Sequence, residues 1–230
     1  MLGSFDFGAI WRSLPYLLFD GLRLTLTLTV LAAAGGVVLG TVLALLRLSR
    51  VRILSTLVAG YVNLMRSLPL LLVIFWFYFL VPHVAQWLTG APRPVPVGGF
   101  VSALLTFTLF ETAYFSEIIR AGLQSIPAGQ AEAGAALGLK RSQVMRLVIL
   151  PQVFRAMLPI LLTQTIILFQ DTSLVYVLSL TDFLGAASKI AQRDGRLVEL
   201  YVFCALGYLA ISLAASRAVA LLRARMTAIT

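Results

Sequence analysis

The sequence predicts an all-α integral membrane protein, one bundle of five transmembrane helices with a structured cytoplasmic loop. Three observations lead there. Of the 230 residues, 60% are hydrophobic and only 12% charged, and the mean hydropathy is +0.97. A soluble domain carries about 25% charged residues, so water cannot solvate this surface and most of it must face lipid. Five apolar segments are each long enough to cross about 30 Å of hydrocarbon. The net charge of +9 comes almost wholly from arginines that flank those segments. That is the distribution of cytoplasmic membrane anchors, and it argues against a nucleic-acid surface.

The first segment covers residues 17–46. Within it Ala32, Gly36 and Gly40 recur every four residues, a small-residue stripe that lets another helix approach closely. The N-terminus, with Asp6 and no early positive cluster, does not read as a cleaved signal. The second segment lies within residues 53–81. Its 29 residues would make about 43 Å of straight helix, more than the hydrocarbon needs. It also contains Arg66-Ser67-Leu68-Pro69. Pro69 lacks a backbone donor and disfavours helix at Leu68, which predicts a break with residues 70–81 as the strongly apolar part. Residues 82–96, rich in proline and glycine, predict an irregular loop holding the single histidine, His83. The third segment covers residues 97–119, the fourth 154–180 and the fifth 197–222. Cys204, the one cysteine, lies in the fifth and reads as a packing residue. The bundle core is thus residues 17–222 of a single membrane domain, 1–230.

Orientation follows from Arg and Lys. With the N-terminus outside, eleven basic residues fall inside: Arg47, Arg50, Arg52, Arg120, Lys140, Arg141, Arg146, Arg155, Arg217, Arg223 and Arg225. Six fall outside, Arg12, Arg23, Arg93, Lys189, Arg193 and Arg196, with Arg66 left in the membrane. Asp6, Asp20, Asp182, Asp194 and Glu199 are also outside. The bias predicts the N-terminus outside and the C-terminus in the cytoplasm.

The cytoplasmic connection, residues 120–151, is too long for a plain inter-helix loop and predicts structure of its own. Pro127 is placed to open a helix, and small residues follow it from Gln130 to Leu137. Gly138 marks a turn, and Ser142 is positioned to cap a second short helix ending at Pro151. Two short helices meeting at a glycine form either a knob that another protein grips or an amphipathic element resting on lipid.

Glu132-Ala133-Gly134, then Gly138, then Val148-Ile149-Leu150-Pro151 resembles the EAA loop of bacterial ABC importer permeases. The spacing matches throughout, with Gly134 in place of alanine and Val148 in place of isoleucine. Gly134 is expected to loosen the helix, since glycine costs about 1 kcal/mol against alanine. Residues 21–26, 66–70, 113–120, Ser125-Ile126-Pro127 and Asp171-Thr172-Ser173-Leu174 resemble the polar amino acid branch of that family. Residues 169–180 look most like permeases for glutamate and aspartate. The resemblance implies a type I importer permease fold in the bacterial inner membrane, with the loop forming a coupling helix. Its implied coupling residues are Glu132, Ala133, Gly134, Gly138, Leu150 and Pro151. The implied partners are an ABC ATPase dimer, a second permease, a related chain in preference to a second copy, and an external amino-acid-binding protein. No cofactor is implied for this chain; ATP and Mg belong to the ATPase.

Ionisable and amide side chains inside apolar segments are costly and mark candidate pathway positions. Here they are Arg66, Glu111, Glu117, Gln164, Gln170 and Asp171. On the third segment Thr108, Glu111, Thr112 and Phe115 share a helix face, while Glu117 projects elsewhere; Gln164 and Asp171 lie two turns apart on the fourth. Arg66 matches a substrate carboxylate, or equally an internal ion pair with Glu111 or Asp171. No phosphate-binding loop of the G-x-x-x-x-G-K-[ST] type occurs, so the chain is not read as an enzyme. An ion-gradient-driven transporter, a class that often shows repeated halves, and a non-transporting scaffold are the competing readings.

Overall fold

The computed structural model describes residues 5–227, and every regular element among them is helical. Helix α1 (Phe7–Tyr16) passes through a π-helical turn, Leu17–Leu22, into α2 (Arg23–Arg47). Asp6 opens this run: its carboxylate accepts from the Ala9 N–H at 3.2 Å, satisfying a donor the helix leaves unpaired. Helices α3 (Arg52–Ser67) and α4 (Leu70–Thr89) are separated by Leu68 and Pro69, both extended. The break falls where Pro69 predicts it.

Proline is a weaker stop elsewhere. Helix α4 continues through Pro82 and closes on Gly90, so the irregular loop begins later than residue 82. His83 is helical, with Nδ1 3.0 Å from the Phe79 carbonyl. Apolar surroundings favour helix strongly enough to tolerate one lost backbone bond.

Helix α5 (Gly99–Gln124) is followed by α6 (Ala128–Ala136) and by α7 (Arg141–Gln143). The second short helix expected to stop at Pro151 does not stop. From α7 the chain runs through a π-helical turn, Val144–Ile149, into α8 (Leu150–Asp171) and on through a 3₁₀ turn, Thr172–Leu178. Pro151 lies in the first turn of α8, at the handover from the π turn, where its missing donor interrupts no regular ladder. Ser142 is not the cap; the Lys140 N–H donates instead to Gln143 Oε1 at 2.8 Å.

Helix α9 (Phe183–Asp194) lies in a stretch with no expected element, and α10 (Leu197–Thr227) completes the chain. Asp182 caps α9, its carboxylate accepting from the N–H groups of Leu184 at 3.1 Å and Gly185 at 3.0 Å. Phe183, Ala186, Ala187, Ile190 and Ala191 then pack one face of α9 against Leu17, Leu200 and Cys204.

Helix α5 is the axis of the bundle and touches α2, α3, α4 and α8. Phe107 and Ala103 of α5 meet Leu28 and Ala32 of α2, Ile74 of α4 and Leu168 of α8. Toward the other end Phe115 and Ile119 meet Ala44 and Leu161. The small-residue stripe of α2 faces α5: a Cβ on Gly40 would lie 2.9 Å from Phe115 Cβ and 3.0 Å from the Ser116 nitrogen. Such contact between backbones is how helices associate where lipid removes the hydrophobic drive.

Among the described residues four helical runs are long and apolar enough to cross a membrane: Phe7–Arg47, Leu70–Thr89, Arg141–Leu178 and Leu197–Met226. Their outward faces carry exposed apolar residues such as Val38, Phe79, Leu206 and Leu213. At 26 residues α5 is also long, with twelve of them buried against other helices, Glu111 and Thr106 among them.

Candidate functional site

Two clusters emerge, a polar set among α3, α5, α8 and α10 and a protruding knob at α6. In the first, Glu111 is fully buried and reaches from α5 to α8. Gln164 Nε2 donates to both of its carboxylate oxygens, at 3.1 and 3.3 Å. Glu111 sits opposite the stripe of α2, its Cβ 3.2 Å from where a Cβ on Gly36 would lie. Its hydrogen-bond partner is a neutral amide, and among the described residues Arg66 makes no salt bridge with either Glu111 or Asp171. Arg66, at the end of α3, instead places its guanidinium 5.5 Å from the centre of the Tyr114 ring, a cation–π distance.

Asp171 ends α8 and is half-buried. Gln170 turns the other way, donating from Nε2 to Ser212 Oγ of α10 at 3.0 Å. Glu117 stands apart from this set, two turns further along α5. It is paired with Arg47 of α2 and with Arg120 of its own helix, the latter at 2.7 Å. Sequence reasoning had no means to assign these partners of Glu117: Arg47 is 70 positions away, and only the α2–α5 packing brings it near.

The knob is built from α6 and the turn after it. Pro127 precedes the first turn of α6, and Gly138 takes a left-handed φ of 78°, a conformation that side chains oppose. Glu132 and Ala133 are exposed, as are Leu150 and Pro151 at the base, whereas Gly134 is buried. A Cβ on Gly134 would lie 2.8 Å from Val144 Cγ2. Gly134 therefore fastens α6 to the start of the long helix rather than loosening it, which corrects the propensity argument: contact outweighs propensity here. Gln152 bridges the base, 3.4 Å from Gln130 Oε1 and 2.9 Å from the Val148 carbonyl. Leu137, 81% exposed at the tip, was not among the expected contact residues.

The fold and the knob together define a permease. Residues 36–228 match the family described as binding-protein-dependent transport system inner membrane component, and the chain belongs to that family. It is a permease subunit of an ABC importer, a multi-pass inner membrane protein, and ATP hydrolysis falls to a separate subunit. It is 51% identical over 222 residues to the glutamate/aspartate import permease protein GltK of Escherichia coli O6:H1, covering 96% of this chain and 98% of that one. It is 34% identical over 223 residues to the glutamine transport system permease protein GlnP of Escherichia coli K12, covering 97% and 98%. A crystal structure of an amino acid ABC transporter with histidines superposes at a TM-score of 0.84, with 29% identity over 96% of this chain and 99% of that one. The MetNI methionine ABC transporter, at 20% identity and a TM-score of 0.67 over 90% of this chain and 96% of that one, shares the fold.

Proposed function

We propose that this chain forms the pathway of an importer for acidic amino acids, glutamate and aspartate. The observation that carries the reading is its 51% identity, end to end, to a glutamate/aspartate import permease. In this reading five helical runs span the membrane, α5 being the fifth, with the N-terminus outside and the C-terminus in the cytoplasm. An external binding protein delivers the substrate, and a second, related permease chain completes the pathway.

The knob is the contact to an ATPase dimer that holds ATP and Mg. Glu132, Ala133 and Leu137 meet the ATPase, Gly134 and Gly138 set the shape, and Leu150 and Pro151 form the root. The knob is well placed for this. It continues from α5 through residues 125–127 and is clamped to the start of the α8 run at Val144. A push on α6 is therefore delivered to the two helices that carry Glu111 and Gln164. Arg66, Glu111, Gln164, Gln170 and Asp171 border the pathway, where polar groups meet the amino acid and shield it from lipid.

The test is uptake of labelled glutamate into proteoliposomes holding this chain, its partner permease and the ATPase. The binding protein is supplied outside and ATP within. Uptake is expected to need both, and unlabelled aspartate should compete better than glutamine or arginine; better competition by glutamine would reassign the substrate. The docking role is checked by Gly138→Trp. A Cβ at Gly138 meets nothing within 4 Å in this chain, but the φ of 78° there opposes any side chain. Gly138→Ala, which carries the same backbone strain without the bulk and should keep more uptake, is therefore the control for Gly138→Trp. In Gly138→Trp uptake should vanish while the chain remains in the membrane, and normal uptake by that variant would remove the docking role.

A further inference from the structure

We infer that Arg47, Glu117 and Arg120 form an ionic joint that carries the movement of the knob to α2, and that Glu117 is its positioning residue. The inference rests on the reading of α6 as the ATPase contact.

The geometry begins with how α6 is attached. Its two attachments reach α5 directly and α8 through Val144. Helix α2 has no chain connection to it. At the end of the bundle nearest the knob, α2 terminates in Arg47, and Arg47 Nη1 donates to Glu117 Oε1 of α5. Arg120, one turn closer to the knob, donates to the same carboxylate from Nε at 3.2 and 3.3 Å and from Nη2 at 2.7 Å. Arg120 also donates to Gln124, the last residue of α5. The chain of contacts thus runs from the end of α5 through Arg120 and Glu117 to the end of α2. It continues one step further, because the Arg47 carbonyl accepts from Ser55 Oγ of α3 at 2.8 Å.

None of the three charged side chains is more than 25% exposed, so the pairs are less screened than surface ion pairs. One carboxylate shared by two guanidiniums is a two-position element: it can favour the partner on α2 or the one on its own helix as the helices shift. That is the property a coupling element needs. The small-residue contact at Gly40 already holds α2 and α5 together in the middle of the bundle. The joint ties the two helices a second time, at their cytoplasmic ends, and so fixes how those ends move relative to each other.

The experiment measures amino acid taken up per ATP hydrolysed in the reconstituted complex. Glu117→Gln and Arg47→Gln are each expected to lower that ratio about fivefold or more, the scale of a coupling free energy, with ATP hydrolysis retained. The double variant should be no worse than either alone. Arg47→Lys should restore most of the ratio, and Arg120→Gln, which leaves the α2–α5 pair intact, should lower it less. A wild-type ratio in both Arg47→Gln and Glu117→Gln overturns the joint while leaving the transport reading in place. A wild-type complex that hydrolyses ATP with no uptake overturns the transport reading first. Should Glu117→Gln fail to assemble, Arg47→Gln against Arg47→Lys decides the question.

Discussion

Helices α4 and α5 are neighbours with opposite characters. Helix α4 buries two of its 20 residues, Val73 and Ile74; α5 buries twelve of 26, among them Glu111, Thr106, Thr112 and Ser116. The more apolar helix is the one left on the outside. In water this would be a misfold, but in lipid it is expected: the periphery must be oily, and only a helix surrounded by protein has partners for polar groups. The acidic side chains follow the same division, with Glu111 and Glu117 both on α5 and no Asp, Glu, Lys or Arg on α4.

The contrast can be broken by substitution. The largest effect is expected at the α2–α5 contact. Gly40→Leu forces bulk into a space where even a Cβ would sit 3.0 Å from backbone, and should prevent assembly of a stable complex, read as loss of a monodisperse peak in detergent. Leu80→Phe on the exposed face of α4 should leave that peak unchanged. Next is truncation of an aromatic. Phe115→Ala, at a fully buried position, should destabilise by about 3–5 kcal/mol on the scale of core truncations. Phe79→Ala, 65% exposed on α4, should shift stability by about 0.5 kcal/mol or less. Thermal unfolding of the two variants side by side decides it, and equal shifts would mean that α4 is covered by protein. Last comes Gln164→Leu, which removes the donor to Glu111. That leaves a fully buried carboxyl without its donor, a cost of about 1–3 kcal/mol, so melting should move less than for Phe115→Ala while uptake falls; unchanged uptake would make that pair purely structural.

The same contrast explains how much could be read in advance. Apolar periodicity marks lipid-facing helices, so the long runs and the break at Leu68–Pro69 were plain in the sequence. The knob was legible because the spacing from Glu132 through Gly138 to Pro151 is a local property. What escaped was set by tertiary surroundings. Helix α9 draws no helix prediction because five of its twelve residues are polar, although Asp182 and Gly195 bracket it as caps and its apolar face recurs at 183, 186, 187, 190 and 191. Pro82 and Pro151 pointed to helix ends that lipid and a π turn overrode. Glu117 was placed correctly on α5 and away from Glu111, yet its partnership with Arg47 follows from helix packing that no local pattern encodes.

The continuous helix Phe7–Arg47 has 41 residues, about 60 Å at the α-helical rise and twice the thickness of the hydrocarbon. A rod of that length cannot be submerged from end to end. Its first turns must ride in the headgroup layer, where the exposed rings of Phe7 and Trp11 are at home. Trp11 thereby becomes a native depth gauge. With Trp76 and Trp87 replaced by phenylalanine, the quenching of its fluorescence by brominated or spin-labelled lipids would report the tilt of the whole rod as the transporter cycles.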